Sequence, residues 1–143
     1  MKTIQRFLSE AHQSIHTITP DDTVYNALTL MAQGNLSVLM VVEGDKLSGI
    51  ISERDYARKV ALHGKSSKET PVRDIMTPAP FTVRPDQTLD VCMSLMIEKK
   101  IRHLPVLSVN NEILGIISIR DVVKEVMDEQ RFLIAELQRY IAG

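Results

Sequence analysis

Ser52-Glu53-Arg54-Asp55 recurs as Ser118-Ile119-Arg120-Asp121, with three of the four residues identical. A hydroxyl, a guanidinium and a carboxylate this close together offer two kinds of chemistry. The hydroxyl and guanidinium donate hydrogen bonds, and the guanidinium fork matches two phosphate oxygens at once. A carboxylate repels phosphate but accepts from the two hydroxyls of a diol, as on the ribose in dinucleotide folds. If the quartet opens a helix, unpaired N–H groups and the positive dipole end also favour phosphate. Phosphate donors beside a ribose acceptor describe a nucleotide, and two quartets describe two sites. The same residues have a purely architectural use as well. An acidic residue at a helix start caps its N–H groups, the arginine beside it is solvated, and a duplicated helix brings its cap with it.

The elements that must position these quartets are themselves duplicated. Gly49-Ile50-Ile51-Ser52-Glu53-Arg54-Asp55 and Gly115-Ile116-Ile117-Ser118-Ile119-Arg120-Asp121 agree at six of seven positions. The glycine reads as the end of a hairpin turn, Ile–Ile as a buried strand, and the polar residues as a helix start. Upstream, Thr17–Thr23 aligns with Thr82–Thr88, Leu30-Met31 with Leu95-Met96, and Leu39 and Val41 with Leu104 and Val106. The offset is constant up to the hairpin before the glycine, where the second copy has one extra residue. Hairpin loops tolerate such insertions. Two copies of several elements each are not a solenoid, which needs at least three small repeats.

Each copy reads as strand, helix, strand, strand, helix. Residues 1–14 form a lead-in, 15–66 the first copy, 67–71 a polar linker, 72–126 the second copy and 127–143 a helical extension. The lead-in is helical from Thr3 to Ser14, with Ile4, Phe7, Leu8 and Ala11 on one face. His12 and His16 stand four apart near Glu10, a spacing zinc can use, but a third ligand is missing. Val24, Ala27, Leu28 and Met31 form an apolar helix stripe, matched by Leu89, Cys92, Met93 and Met96. Cys92 replaces Ala27 and reads as a small core residue. In the helix after Asp55, Tyr56, Val60 and Ala61 point inward, and Arg58 and Lys59 face solvent or a ligand. The last helix runs from Val122 to about Ile141, with more apolar face than its own copy needs. It covers the body or pairs with a second copy.

The composition narrows the function classes. The chain has 143 residues, 44% hydrophobic and 24% charged, with a net charge of −1. That balance gives no electrostatic case for nucleic acid or a membrane surface. Tryptophan is absent, so base-stacking platforms are poorly supported. One cysteine cannot form an internal disulfide, which fits a reducing compartment. No apolar run crosses a bilayer, and the charged N-terminus is unlike a signal peptide. A cytoplasmic location is expected.

The ordered set of motifs resembles a tandem pair of cystathionine-β-synthase-type (CBS) domains. The matching segments are Val72-Arg73-Asp74-Ile75-Met76-Thr77, the two Thr-hydrophobic-x-Pro-x-x-Thr entries, Arg102-His103-Leu104-Pro105-Val106 and both Gly-Ile-Ile-Ser-x-Arg-Asp segments. Together they span roughly residues 15–126. The resemblance implies an α/β (α+β) fold of two β-α-β-β-α repeats about a pseudo-twofold axis, usually in a flat homodimer. It implies function by binding an adenosine-containing ligand (AMP, ADP, ATP, NAD or S-adenosylmethionine) in clefts between repeats, with no catalytic cofactor. By the family pattern Asp121 holds a ribose, with Ser118 and Arg120 nearer the phosphates. Thr17, Leu36 and Ser37 line the adenine side, and Arg102 reaches the phosphates. The pseudo-symmetric cleft uses Asp55, Ser52 and Arg54, with Thr82 and Ile101 on the adenine side and His103 near either phosphate group. Met40 in place of Pro105, Ser37 in place of Arg102, and Ser14-Ile15-His16 in place of the Val-Arg-Asp-Ile-Met-Thr opening set the two clefts apart.

The function expected is that of a nucleotide sensor whose output is another chain, an effector protein. Two alternatives stand beside it. One is a dimeric scaffold indifferent to nucleotides. The other is an enzyme, against which stands the lack of a nucleophile elbow, phosphate-cradling glycine loop or zinc spacing.

Overall fold

The computed structural model describes all residues, Met1–Gly143. In chain order the elements are α1 (Ile4–Ala11), β1 (Thr17–Ile18), α2 (Val24–Gly34), β2 (Val38–Glu43), β3 (Lys46–Ser52), α3 (Glu53–Lys59), β4 (Thr77–Pro78), α4 (Leu89–Lys99), β5 (His103–Leu107), β6 (Ile113–Ser118) and α5 (Ile119–Ala142). Single 3₁₀ turns occupy Ala61–His63 and Val72–Asp74. The chain divides into two compact units. A first-copy unit holds Ser14–Phe81 and Asn111–Ile113, and a second-copy unit holds Met1–Gln13, Thr82–Asn110 and Leu114–Gly143.

The first-copy unit is a four-stranded sheet in the order β1-β2-β3-β4. β1 runs parallel to β2, and β2–β3 and β3–β4 are antiparallel. Thr23 caps α2 by accepting from the Asn26 N–H at 3.0 Å. Val24, Ala27 and Met31 then bury the stripe read from the sequence, and Asn35 ends the helix at φ 53°. Leu39, Val41 and Ile51 complete the core from the sheet. Val60 is buried but Ala61 is exposed, because α3 ends at Lys59 and the chain tightens into a 3₁₀ turn. Residues 67–76 also serve this unit. The Val24 N–H donates to Thr70 O at 2.9 Å and the Val72 N–H to Asp22 O at 2.8 Å. Val72 and Ile75, which the sequence groups with the second copy, lie in the first-copy core.

The second-copy unit repeats the plan with substitutions. Leu89, Cys92 and Met96 of α4 are buried against Leu104, Val106 and Ile117 of the β5–β6 pair. Val83 bridges Val106 in parallel, where β1 stands in the first copy. The lead-in supplies the remainder. Thr3 caps α1 and its Oγ1 accepts from the Arg6 N–H at 3.2 Å. An eight-residue helix is marginal alone, and Ile4, fully buried in the second core, anchors it. Burying such a side chain contributes roughly 1.5–3 kcal/mol. Beyond α1 the Gln13 carboxamide imitates a strand. Its Nε2 donates to Ile116 O at 2.8 Å, and its Oε1 accepts from the Ile116 N–H at 3.1 Å. In the first copy β4 does this work, with Thr77 opposite Ile50.

The repeated glycine is therefore not the end of a hairpin turn. Gly49 and Gly115 lie inside β3 and β6, and the positive-φ turn glycine of the first hairpin is Gly44. What each strand glycine provides is room for a crossing segment. A Cβ on Gly49 would stand 2.7 Å from Met76 Sδ and 2.9 Å from Thr77 O. One on Gly115 would stand 2.8 Å from both Leu8 Cδ2 and Gln13 Oε1.

Gly49→Ala is expected to destabilise the protein by about 1–3 kcal/mol, since the Thr77 carbonyl is backbone and cannot swing away. Gly115→Ala should lose less, because Leu8 and Gln13 meet it with flexible side chains. Urea midpoints measure both, and a larger loss at Gly115 would contradict the packing described. Gln13→Ala should cost about 1–3 kcal/mol by leaving Ile116 unpaired, and should speed amide exchange at Ile116. Unchanged exchange there would show that another group satisfies it.

Candidate functional site

Both strand-to-helix junctions are built the same way. Ser52 sits in extended backbone at φ −127°, ψ 163°, and its Oγ accepts from the Asp55 N–H at 3.1 Å. Asp55 Oδ2 accepts in return from the Ser52 N–H at 2.9 Å and from the Ser52 hydroxyl at 3.0 Å. Ser118 Oγ accepts from the Asp121 N–H at 3.1 Å, and Asp121 Oδ2 accepts from the Ser118 N–H at 2.8 Å. These are reciprocal capping boxes with aspartate as the third helical residue. The architectural role is real, with the refinement that serine is the cap. It occupies one carboxylate oxygen of each aspartate.

The second oxygen separates the copies. Asp55 Oδ1 is 3.2 Å from Lys59 Nζ, which also donates to Ile75 O at 2.8 Å. Lys59 is thus tied to its own unit and is not a free cation for a ligand. Its i,i+4 spacing from Asp55 is the sequence signal for that pair. Asp121 Oδ1 makes no hydrogen bond or ion pair.

A second shared bond joins the neighbouring strand to each helix start. The Glu53 N–H donates to Ser37 O at 3.0 Å, and the Ile119 N–H donates to Arg102 O at 2.8 Å. Ser37 and Arg102 occupy equivalent places, so the first copy puts a short hydroxyl where the second puts a guanidinium. Of the expected site residues, Thr17, Leu36, Ser37, Ser52, Arg54 and Asp55 belong to the first-copy unit. Thr82, Ile101, Arg102, His103, Ser118, Arg120 and Asp121 belong to the second. Ser52 pairs in register with Val38, next to Ser37, and Thr17 pairs with Met40 on the same sheet. Leu36 is half-buried against the first core, and Ile101 against the second.

Arg54, Arg102 and Arg120 are exposed and ion-paired to nothing. Most of the chain's other arginines do have carboxylate partners, Arg6 with Glu10, Arg73 with Asp21 and Arg139 with Glu136 among them. His103 is half-buried, and burial holds its pKa below the usual imidazole value. Arg102 pushes it the same way, against the opposing pull of Asp121. Burial thus favours the uncharged, hydrogen-bonding form of the ring over the imidazolium.

Two other sequence candidates do not form sites. His12 ends α1 in the left-handed region at φ 51°, so His12 and His16 share no helical face. Burial pushes the Cys92 thiol up to about 11, consistent with a core residue. No helix is long and apolar enough to cross a membrane.

Comparison with known proteins follows the same two segments. The CBS domain family model matches residues 8–62 and 72–128. The Arabidopsis thaliana CBS domain-containing protein CBSX3, mitochondrial, is 45% identical over 130 residues, covering 87% of this chain and 63% of that protein. The chain thus spans about three-fifths of the length of this curated relative. A solved CBS-domain protein from Burkholderia ambifaria MC40-6 is 45% identical with a TM-score of 0.84, covering 90% of this chain and 96% of that one. The structure of CBSX2 in complex with AMP is 26% identical with a TM-score of 0.72, covering 91% and 99%. With a family match on each copy and this structural agreement, the chain belongs to the CBS domain family, as a tandem pair.

Proposed function

We propose that this chain is a regulatory module that binds an adenosine ligand (AMP, ADP, ATP or NAD) and acts on a partner protein, itself assembled as a homodimer. The observation that carries the reading is the pair of capped helix starts. Each combines a serine, an exposed guanidinium without a carboxylate partner, and an aspartate whose cap uses only one oxygen. The AMP complex of CBSX2, a structural relative, supports the adenosine class. In this reading Asp121 holds the ribose, while Ser118, Arg120 and Arg102 take the phosphates and Thr17, Leu36 and Ser37 meet the adenine. The pseudo-symmetric set is Asp55, Ser52 and Arg54 with Thr82, Ile101 and His103. The Asp121 site is the stronger, because a ligand at Asp55 competes with Lys59 for the carboxylate.

The module acts by binding, not turnover. Its one thiol is buried in the second-copy core and held protonated. Ligand moves the equilibrium between two states by its difference in affinity for them. A cytoplasmic location belongs to the same proposal, although the name of one plant relative places that protein in mitochondria.

Thermal unfolding against AMP, ADP, ATP, NAD, S-adenosylmethionine and GTP tests the reading. A native-state ligand adds about 2.7 kcal/mol at a hundredfold excess over Kd. Stabilisation by adenine ligands and not by GTP is expected; no response to any of them favours the nucleotide-indifferent scaffold. Asp121→Asn keeps an acceptor for the cap and should weaken ribose ligands by about 1–3 kcal/mol. Asp55→Asn should weaken them less. Unchanged affinity in the Asp121 variant removes the site assignment.

A further inference from the structure

Helix α5 carries two apolar faces, and its own unit uses only one. Val122 and Val126 pack into the second-copy core. Glu125 pairs with Lys2 at 3.2 Å, and Glu129 lies 3.7 Å from the amino terminus of Met1. Residues 122, 125, 126 and 129 follow the i, i+3, i+4, i+7 pattern and define the side held against the unit. The other face lies about 100° around the helix. Val123, Met127, Gln130, Ile134, Leu137 and Ile141 follow one another at alternating spacings of four and three. That is the heptad rule of a two-stranded coiled coil, drawn along a straight seam.

The seam is open and almost uncharged. Ile134 is 55% exposed, Leu137 61% and Ile141 83%. Leu133 and Tyr140 widen it, and both are exposed. These side chains with Val123 and Met127 present on the order of 800 Å² of surface, which matches what each partner buries in a standard stable interface. Four of the helix's charges pair with one another off the seam. Lys124 pairs with Asp128 at 3.2 Å and Arg139 with Glu136 at 2.8 Å, both within the helix. No seam position is charged, so a matching seam meets no repulsion.

We propose that α5 of one copy of this chain pairs with α5 of a second copy, parallel and in register, along Val123–Ile141. Gln130 sets the orientation. It is the one polar residue in the stripe, and in the parallel register it meets the Gln130 of its partner, amide to amide. In any antiparallel register that keeps the stripes aligned it faces an apolar residue, such as Ile134 or Met127. That leaves a buried carboxamide unsatisfied, and a single polar layer of this kind fixes register in coiled coils. The proposal rests on the homodimer in the reading above and not on its nucleotide chemistry.

Sedimentation of the full chain over a wide concentration range tests it. The protein should sediment as a dimer, and Ile134→Glu with Leu137→Glu should weaken dimerisation by at least about tenfold. Both positions are exposed, so the far-ultraviolet spectrum and melting should be preserved. Leu137→Cys should form an intermolecular disulfide readily on mild oxidation, since the sole native thiol is buried. A monomeric wild type, or a double variant that dimerises as the wild type does, overturns the interface. Absence of the cross-link in a dimeric Leu137 variant overturns the parallel register. The adenine-ligand shift measured on the double variant separates this proposal from the previous one: it should persist when the dimer is lost.

Discussion

Each strand-to-helix turn is held by a serine and an aspartate that hydrogen-bond each other's backbone. This reciprocal cap fixes where the helix begins, and so where the intervening arginine leaves the surface. It also constrains the aspartate. One carboxylate oxygen is committed to the Ser52 or Ser118 N–H, which leaves a single oxygen for any other partner. Asp55 gives that oxygen to Lys59, and Asp121 keeps it free. Two copies of one motif thus carry unequal chemistry without any change in the motif.

The scaffold uses the duplication in a second way. Each central hairpin needs a segment to cross its glycine and pair with its outer strand. The first copy uses residues 76–78, from the opening of its sequence twin. The second copy uses Leu8 and Gln13, from the opposite end of the chain. The lead-in is therefore structural. It fills the place in the second-copy unit that β4 fills in the first, and Ile4 supplies the apolar anchor for it.

Much of this was legible in the sequence because duplication doubles every local signal. Element order, the helix stripes ending in Met31 and Met96, and the core role of Cys92 all follow from spacing. Other features were not legible, for physical reasons. A glycine between a turn and a β-branched pair looks alike whether it serves the turn or a close approach, so only the fold distinguishes the role of Gly49 and Gly115. Val72 and Ile75 follow the linker in sequence, but nothing local says which core they enter. The bond from Gln13 to Ile116 spans 103 positions, and one glutamine in a polar stretch carries no mark of it. Ser-x-Arg-Asp suits both a cap and a binding motif, and a cap that uses one carboxylate oxygen is compatible with either.

A crystal structure grown with saturating AMP tests the Asp121 site most directly. Ribose hydroxyls are expected within hydrogen-bond distance of the Asp121 carboxylate, with the Ser118–Asp121 cap intact and the phosphate beside Arg120 or Arg102. AMP found away from both junctions, or absent from a well-ordered Asp121 junction, would contradict that assignment.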